Sequence, residues 1–306
     1  MKILITGGTG SVGKILVPML LDKNYDLTLT TRNEKKAISK NSGWADKVKF
    51  IETDYKMKGD WLKQVELNDV IINMMGANVF SRRWTMKRKS VLMDSRVEPT
   101  KLLIDTIKEV ENKPSLFIQI SGSEYPNSND KEFHETDRLS DKFLGELMRE
   151  WEKPIINLKN KDVRKIVFRM GPVIGYDWRN IERMFIPHKL FIGGKVGNGR
   201  QIYPWVHVKD FANIILWGIE NEKVKGIING VAPDKKSMIE LAKIGGHILK
   251  RKTWTWAPGF GLRLVLGERA DTILNGRAVN SNKLLDYGYK FLYPNAGLAL
   301  IDILKK

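Results

Sequence analysis

A glycine-rich turn close to the first residue limits the possible folds more than any other feature of this chain. The apolar segment 2–6 precedes glycines at positions 7, 10 and 13, and apolar residues then recur at helical spacing as far as Leu20. A strand, a tight glycine turn and a helix in this order place free helical N–H groups where they can bind a diphosphate. A tight turn that binds no ligand is the alternative interpretation. We predict a dinucleotide-binding turn, with contacts from Gly7, Thr9, Gly10, Ser11, Val12 and Gly13.

Short apolar runs alternate with helical patterns through the first half of the chain. Strands that alternate with helices, and that read as continuous apolar runs, are typical of a parallel sheet covered on both faces. We therefore predict an α/β fold, a Rossmann-type doubly wound parallel sheet with a smaller α/β C-terminal domain. The predicted strands cover residues 2–6, 26–31, 47–52, 70–74, 116–120 and 166–169, and the clearest helix spans about 85–111.

The chain of 306 residues is long enough for two domains, and its texture changes after residue 171, where glycine, proline and tryptophan become frequent. We assign residues 1–171 to the dinucleotide-binding domain, with a return to the sheet around 205–230. Residues 172–306 are assigned mostly to a smaller, substrate-facing domain. Its predicted elements are a strand at 226–229 and helices at about 237–249 and 261–274.

The residue that follows the second predicted strand reports on the cofactor. An acidic residue there would accept hydrogen bonds from the ribose hydroxyls of NAD, whereas this chain has Arg32. A guanidinium can pair with the 2′-phosphate of NADP, so we expect NADP in preference to NAD; an ordinary exposed arginine is the alternative. Further along, we expect Asp54 to bond the adenine, and we expect the backbone of Met74, Gly76 and Ala77 to pass close to the cofactor; ordinary loop contacts are the alternative for each.

Composition excludes several classes of site. The chain has no cysteine, which excludes disulfides and thiolate catalysis, and its four histidines lie far apart, so we predict no metal site. No apolar run approaches the roughly 18 residues of a membrane span. Because no signal peptide is evident either, we expect a cytoplasmic protein with no membrane partner. The net charge of +17 comes mostly from scattered lysines, which disfavours a nucleic-acid partner and would suit a phosphate-bearing ligand.

Several further blocks resemble the extended short-chain dehydrogenase/reductase superfamily (the NAD-dependent epimerase/dehydratase superfamily), and within it the atypical epimerase-like branch. They cover nearly the whole chain in the order of the family. The resemblance implies an NADP-binding Rossmann domain and a small C-terminal domain that closes over a substrate cleft, with Ser121 and Arg169 in contact with the cofactor. The blocks are residues 73–77, 82–85, 88–89, 94–97 with Thr100, Ser121, 143–144, 150–152, 169–175, 197–201, 205–210 and 266–268.

The chain departs from the superfamily in its acid–base residues. Typical members use a serine, a tyrosine and a lysine four residues after the tyrosine. No tyrosine here has a lysine four residues on, and Phe143 and Leu147 occupy the register of that pair. The atypical branch also tends to lack it. Ser121 remains as a hydrogen-bonding group for the reacting oxygen, and Tyr125 is the best candidate acid or base, unless it is a structural tyrosine.

Four residues are candidates for substrate contact. Arg82, Arg83 and Trp84 lie near the carboxyl end of the predicted sheet, where they could hold phosphates or an acidic substrate, unless they are a solvated face. His207 is a candidate acid or base at the cleft, or else a structural histidine. The patterns favour an NADP-dependent oxidoreductase or epimerase-like protein acting on a small polar, sugar-nucleotide-like substrate. The alternative is a non-catalytic NADP(H)-binding sensor or partner protein. Monomer and homodimer both remain open.

Overall fold

A computed structural model describes residues 1–175 and 185–305, and its centre is a sheet of seven strands in which all neighbours are parallel. The strands of the described residues are β1 Lys2–Thr6, β2 Asp26–Thr31, β3 Lys49–Glu52, β4 Val70–Asn73, β5 Leu116–Gly122, β6 Ser128–Phe133, β7 Arg164–Met170, β8 Val173–Ile174, β9 Gly194–Val196, β10 Ile202–Tyr203, β11 Val206–His207, β12 Gly226–Gly230, β13 Lys236–Ser237, β14 Thr255–Ala257 and β15 Arg277–Val279. The order in the sheet is β12-β7-β5-β4-β1-β2-β3, which confirms the doubly wound prediction.

The strand order reverses between β1 and β4. The chain builds β2 and β3 outward on one side of β1 and then crosses to place β4 on the other side. In open parallel sheets the crevice for a ligand lies at such a reversal, outside the carboxyl ends of the strands. The glycine turn follows β1 directly, so it lies at this crevice.

Helices cover both faces of the sheet. They are α1 Gly13–Leu21, α2 Glu34–Lys40, α3 Asp60–Leu67, α4 Met86–Glu109, α5 Phe143–Ile156, α6 Val208–Glu220, α7 Met238–Ile248, α8 Gly259–Leu266, α9 Asp271–Leu274, α10 Asn282–Asp286 and α11 Ala296–Leu304. Ile3 and Ile5 of β1 pack in one cluster with α1 and α6, whereas Leu4 packs in another cluster with α3, α4 and α5. This is expected because successive side chains of a strand point to opposite faces of the sheet. Short 3₁₀ turns span Ala45–Lys47 and Gly267–Ala270. None of the helices in the described chain is both long and apolar enough to cross a membrane.

The C-terminal third combines a return to the sheet with small separate elements. β12 extends the central sheet beside β7, and α6 packs against α1. The pairs β9–β14 and β10–β13 lie outside the central sheet. The division of the chain at residue 171 stays a prediction.

The single helix predicted at 261–274 is wrong. Gly267 adopts φ +62° and ψ −145°, a conformation that side-chain-bearing residues avoid, and it ends α8. The chain continues as the 3₁₀ turn Gly267–Ala270 and then as α9. The spacing of apolar residues does not depend on the conformation of Gly267, so hydrophobic periodicity could not predict that the helix is interrupted here.

Candidate functional site

The glycine turn after β1 leaves no room for side chains at two of its positions. Gly7 has φ +74°, and a Cβ there would lie 2.7 Å from the carbonyl oxygen of Met74, in the segment after β4. A Cβ on Gly13 would lie 1.7 Å from the carbonyl oxygen of Gly8. Because real Cβ atoms do not approach this closely, only glycine lets β1, the turn and α1 pack together here.

The N-terminus of α1, directly after this turn, has no side-chain cap. The N–H of Gly10 donates to the carbonyl oxygen of Gly7 at 3.1 Å and closes the turn. Within residues 1–175 and 185–305, no backbone carbonyl accepts from the N–H groups of Ser11 or Val12. Uncapped N–H groups at a helix N-terminus carry partial positive charge and suit a diphosphate. The individual contacts of Thr9, Ser11 and Val12 with a cofactor stay predictions.

Two other predicted cofactor residues follow neighbouring strands at the same edge of the sheet. Arg32 follows β2 and Asp54 follows β3, and both side chains are exposed. Next to Arg32, Asn33 caps α2 by accepting from the N–H of Lys36 at 2.7 Å. Asp54 accepts from the N–H of Lys56 at 3.2 Å, so one of its oxygens stabilises its own loop. The 2′-phosphate and adenine contacts stay predictions.

A buried amide fixes the point where β1 and β4 diverge. Asn73, which is fully buried, accepts from the hydroxyl of Thr6 at 2.6 Å and donates to Thr100 Oγ1 at 2.7 Å and Gln119 Oε1 at 2.9 Å. The N–H of Met74 then donates to the carbonyl oxygen of Thr6 at 3.0 Å. One side chain thus joins β1, β4, β5 and α4 beneath the predicted cofactor crevice.

The segment after β4 is held by α4. The guanidinium of Arg96 donates to the carbonyl oxygen of Ala77 at 3.0 Å, and the N–H of Ala77 donates to Ser95 Oγ at 3.0 Å. A Cβ on Gly76 would lie 2.5 Å from Cζ of Arg96, so a glycine is required for this approach. Burial, with a smaller contribution from Arg88, lowers the pKa of Arg96 to about 10. The backbone predicted to pass the cofactor is therefore rigidly placed.

A buried ion pair stands behind the end of β5. Ser121 Oγ donates to Glu152 Oε1 at 2.6 Å. The guanidinium of Arg169 binds the same carboxylate through two nitrogens, Nη2 at 2.7 Å and Nε at 3.0 Å. All three side chains are at least 94% buried. The guanidinium of Arg169, predicted to contact the cofactor, is thus committed to Glu152, because a buried cation needs a counter-charge.

Tyr125 belongs to the same network and is 99% buried. Its hydroxyl donates to Asn229 Oδ1 at 2.7 Å and accepts from Nη1 of Arg169 at 3.1 Å, and its ring stacks on Phe133. Burial raises the pKa of Tyr125, although the Arg169 cation works in the opposite direction. The phenol is therefore protonated at neutral pH and can act as a hydrogen-bond donor.

A cavity of about 750 Å³ lies between the beginnings of α4 and α5 and the segment 268–277. Tyr125 contributes to its wall, next to the aromatic pair of Trp84 and Phe143, whose ring centroids lie 5.4 Å apart. Lys142, also in the wall, pairs with Asp271 at 2.5 Å. The cavity therefore joins the predicted dinucleotide-binding domain to the C-terminal segment.

Two further ion pairs cross the cavity. Lys89 of α4 pairs with Glu268 at 2.6 Å, and Glu124, just after β5, pairs with the buried guanidinium of Arg277 on β15. All four side chains are in the wall. The wall thus combines apolar side chains with charged ones, and polar groups of this kind orient a ligand in a pocket.

The predicted substrate residues are not all brought together. Trp84 lines the cavity, and Arg83 donates to the carbonyl oxygen of Leu264 at 3.2 Å. Arg82 is exposed beside it. His207, in contrast, is buried as the cap of α6, where its Nδ1 accepts from the N–H of Lys209 at 3.3 Å. Its substrate role stays a prediction, and the geometry assigns it a structural role.

Proteins of a known family resemble this chain in sequence and in fold. The sequence model for the NAD dependent epimerase/dehydratase family matches residues 3–229. This chain belongs to that family. The model for a domain of unknown function, DUF1731, matches residues 257–303 of this family member, which include the C-terminal wall of the cavity.

Relatives of similar length support the assignment. An epimerase family protein of Staphylococcus haemolyticus is 32% identical over 307 residues, and one of Staphylococcus epidermidis is 33% identical over 310 residues; each alignment covers 99% of both chains. The crystal structure of human epimerase family protein SDR39U1 with NADPH is 28% identical, with a TM-score of 0.86 over 100% of this chain and 99% of that one. UDP-glucuronic acid 4-epimerase from Bacillus cereus, solved with UDP-glucuronic acid and NAD, shares the fold at 18% identity, with a TM-score of 0.76 over 100% and 99% of the two chains.

Glu152 is the main residue that sequence reasoning missed. It lies on the face of α5 that also carries Leu144, Met148, Trp151 and Ile155, all of which are buried. A carboxylate on an apolar helix face needs a partner, and an arginine inside an apolar strand, as at position 169, needs one too. The two charged residues in otherwise apolar segments were therefore the sequence signal that could have identified this ion pair.

Proposed function

We propose that this family member is an NADP-dependent oxidoreductase or epimerase-like enzyme that acts on a small polar, sugar-nucleotide-like substrate. The observation that carries the proposal is the glycine turn, where Gly7 and Gly13 have no space for a Cβ and lead into an uncapped helix N-terminus. Such a cradle fits a dinucleotide diphosphate in shape and charge. The NADPH in the structure of human SDR39U1 supports the same ligand class.

NADP is proposed in preference to NAD because of the residue after β2. Arg32 stands there with an exposed guanidinium, where an acidic residue would repel a 2′-phosphate. Asn33, the next residue, is committed to capping α2, so Arg32 is the cation directly after β2.

The proposed chemistry is reduction of a carbonyl group or its reverse. A bound nicotinamide would supply the hydride. Tyr125, a cavity-wall residue, would exchange its hydrogen bond to Asn229 for one to the substrate oxygen and donate its proton there, and Arg169 at 3.1 Å would stabilise the phenolate left behind. Ser121, which donates its own proton to Glu152, would accept a hydrogen bond from the reacting oxygen once that oxygen is a hydroxyl.

A non-catalytic NADP(H) sensor is the second candidate function. The observation that favours it is the pair Phe143 and Leu147 in the register of the usual tyrosine and lysine. Phe143 lines the cavity but cannot exchange a proton, and Leu147 is fully buried.

Two measurements on the purified full chain separate these candidates. NADPH binding is measured by calorimetry, and turnover by loss of NADPH absorbance with a panel of small polar aldehydes and ketones. An enzyme should lose turnover in Ser121→Ala and Tyr125→Phe while both variants still bind NADPH, and Tyr287→Phe should behave as wild type. Binding without turnover across the panel would favour the sensor, and no heat with either dinucleotide would exclude both.

The cofactor preference is tested at Arg32. Loss of a charge-assisted contact should weaken NADPH binding by about tenfold or more in Arg32→Glu, whereas NADH affinity should stay within about twofold. An unchanged ratio of the two affinities would refute the role of Arg32.

A further inference from the structure

Two arginines from distant parts of the chain meet beside the cavity. Arg83, in the loop between β4 and α4, donates from Nη2 to the carbonyl oxygen of Leu264 at 3.2 Å. Arg269, in the 3₁₀ turn after α8, donates from Nη1 to the carbonyl oxygen of Phe80 at 2.8 Å. Each guanidinium is therefore anchored on the other's segment. This reciprocal arrangement holds both side chains in place at the junction of the two segments.

A glycine makes the close approach possible. Gly267 has φ +62°, and a Cβ on it would lie 3.2 Å from Nε and 3.5 Å from Nη2 of Arg83. A Cβ at this distance would require the Arg83 guanidinium to shift by a few tenths of an ångström. The neighbours of the two arginines in the sequence, Trp84 and Glu268, both line the cavity. The arginine pair therefore lies just outside the wall, at the cavity rim, and neither arginine is itself a wall residue.

The charge of this pair is not balanced by protein carboxylates. In the part of the chain that the structure describes, neither Arg83 nor Arg269 takes part in a salt bridge, and the adjacent Glu268 is paired with Lys89 at 2.6 Å. Burial, and next the Arg83 charge, lowers the pKa of Arg269, as expected where two cations lie close together. Residues 76–93 add to the excess, since they contain five Lys or Arg and no Asp or Glu. Like charges held together cost free energy that an anion between them would offset.

We propose that Arg83 and Arg269 together bind an oxyanion of the substrate, either a phosphoryl or a carboxylate group, at the rim of the cavity. Planar guanidinium groups bind such oxygens through paired N–H donors. This inference rests on the proposed function and assigns recognition of the substrate's anionic group to these two arginines. The diphosphate of the dinucleotide is the other source of the same chemistry. The glycine turn after β1 is the proposed site of that diphosphate, so the phosphate titration is repeated with NADPH bound to distinguish the two sources.

The test is titration of the full chain with inorganic phosphate at low ionic strength, followed by calorimetry and by ³¹P line width. The titration is run on the protein alone and on protein saturated with NADPH. Wild type should keep one phosphate site when it is saturated with NADPH, whereas any further phosphate bound at the glycine turn of the protein alone should be displaced. Loss of one charge-assisted contact should lower this affinity by about tenfold in Arg83→Met and in Arg269→Met. Arg263→Met is the matched control, because Arg263 is an exposed arginine on α8 already paired with Asp271 at 3.1 Å, and it should bind as wild type.

Three outcomes would overturn the proposal. These are an unchanged phosphate affinity in both methionine variants, an equal loss in Arg263→Met, and a loss of the phosphate site on NADPH saturation, which would assign it to the cofactor. Should a methionine variant fail to fold by near-ultraviolet circular dichroism, Arg83→Lys and Arg269→Lys replace it. They keep the charge but lose the paired donors, so a loss of about threefold is expected, and wild-type affinity would count against the site. Phosphate affinity is also measured on protein without NADPH. A failure of NADPH binding or of turnover would therefore not decide whether the two arginines bind an anion.

Discussion

Neutralising Glu152 should destabilise the protein more than any conservative change on the same helix. In Glu152→Gln the side chain keeps its volume but loses its charge. The Arg169 guanidinium, only 6% exposed, then has no counter-charge, and the hydrogen bond from Ser121 at 2.6 Å is weakened. Breaking a buried pair from one side costs about 3–5 kcal/mol. At about 2 °C per kcal/mol for a chain of this size, the midpoint of thermal unfolding should fall by roughly 6–10 °C.

The assay is urea unfolding followed by tryptophan fluorescence, with thermal unfolding as a second measurement. Glu150→Gln is the matched control, because Glu150 lies two residues earlier on α5 and pairs with Lys153 at 3.5 Å on the surface. An exposed pair of this kind contributes about 0–1 kcal/mol. Equal stability of the two variants would refute the reasoning.

A double-mutant cycle isolates the interaction itself. Glu152→Met and Arg169→Met should each be strongly destabilising, whereas the double variant should be more stable than the sum of the two changes predicts. Removing both partners leaves no unpaired buried charge, so the desolvation penalty disappears. Additive effects would mean that the two side chains do not interact.

Three further changes test other parts of the structure. Gly13→Ala places a carbon 1.7 Å from the carbonyl oxygen of Gly8, so it should lower the free energy of unfolding by at least about 3 kcal/mol and abolish the NADPH binding measured by calorimetry. Gly43→Ala is the control, because a Cβ there would have nothing within 4 Å, and it should change neither quantity. Gly267→Ala forces an unfavourable φ of +62° and should cost on the order of 1–3 kcal/mol in urea unfolding; wild-type stability would contradict the observed break after α8. Burial lowers the pKa of His188 in the folded state, so the unfolded chain binds more protons, and the free energy of unfolding should fall as the pH drops below 6.5. His188→Gln should flatten this pH dependence of stability, and an unchanged slope in that variant would refute the role of His188.

Much of the nucleotide-binding half could be predicted because its signals are local. The strands at 2–6 and 26–31 were predicted with the bounds that the structure has, and the helix at 85–111 is observed as Met86–Glu109. Buried parallel strands are continuous apolar runs, and long helices repeat apolar residues at a fixed spacing. The glycine turn was equally readable, since the steric demands of Gly7 and Gly13 follow from the strand–turn–helix order.

The polar network at the site could not be predicted in the same way. Ser121, Tyr125 and Arg169 were assigned to catalysis or cofactor contact, and the structure joins all three to one another through Glu152 and direct hydrogen bonds. Arg269 was not singled out, because only the approach of its turn to the loop before α4 places it beside Arg83. These contacts link residues that are far apart in the chain.

Hydrophobic periodicity and glycine sterics act over a few neighbouring residues, so the sequence alone determined the type and order of most elements and therefore the sheet they build. Which buried charge neutralises which, and where charges of the same sign are forced together, depends on distances between segments. Those distances exist only once β5, α5, β7 and the C-terminal segment have packed. The tertiary structure alone therefore decided that Arg169 is paired with Glu152, while Arg83 and Arg269 have no carboxylate partner among the described residues.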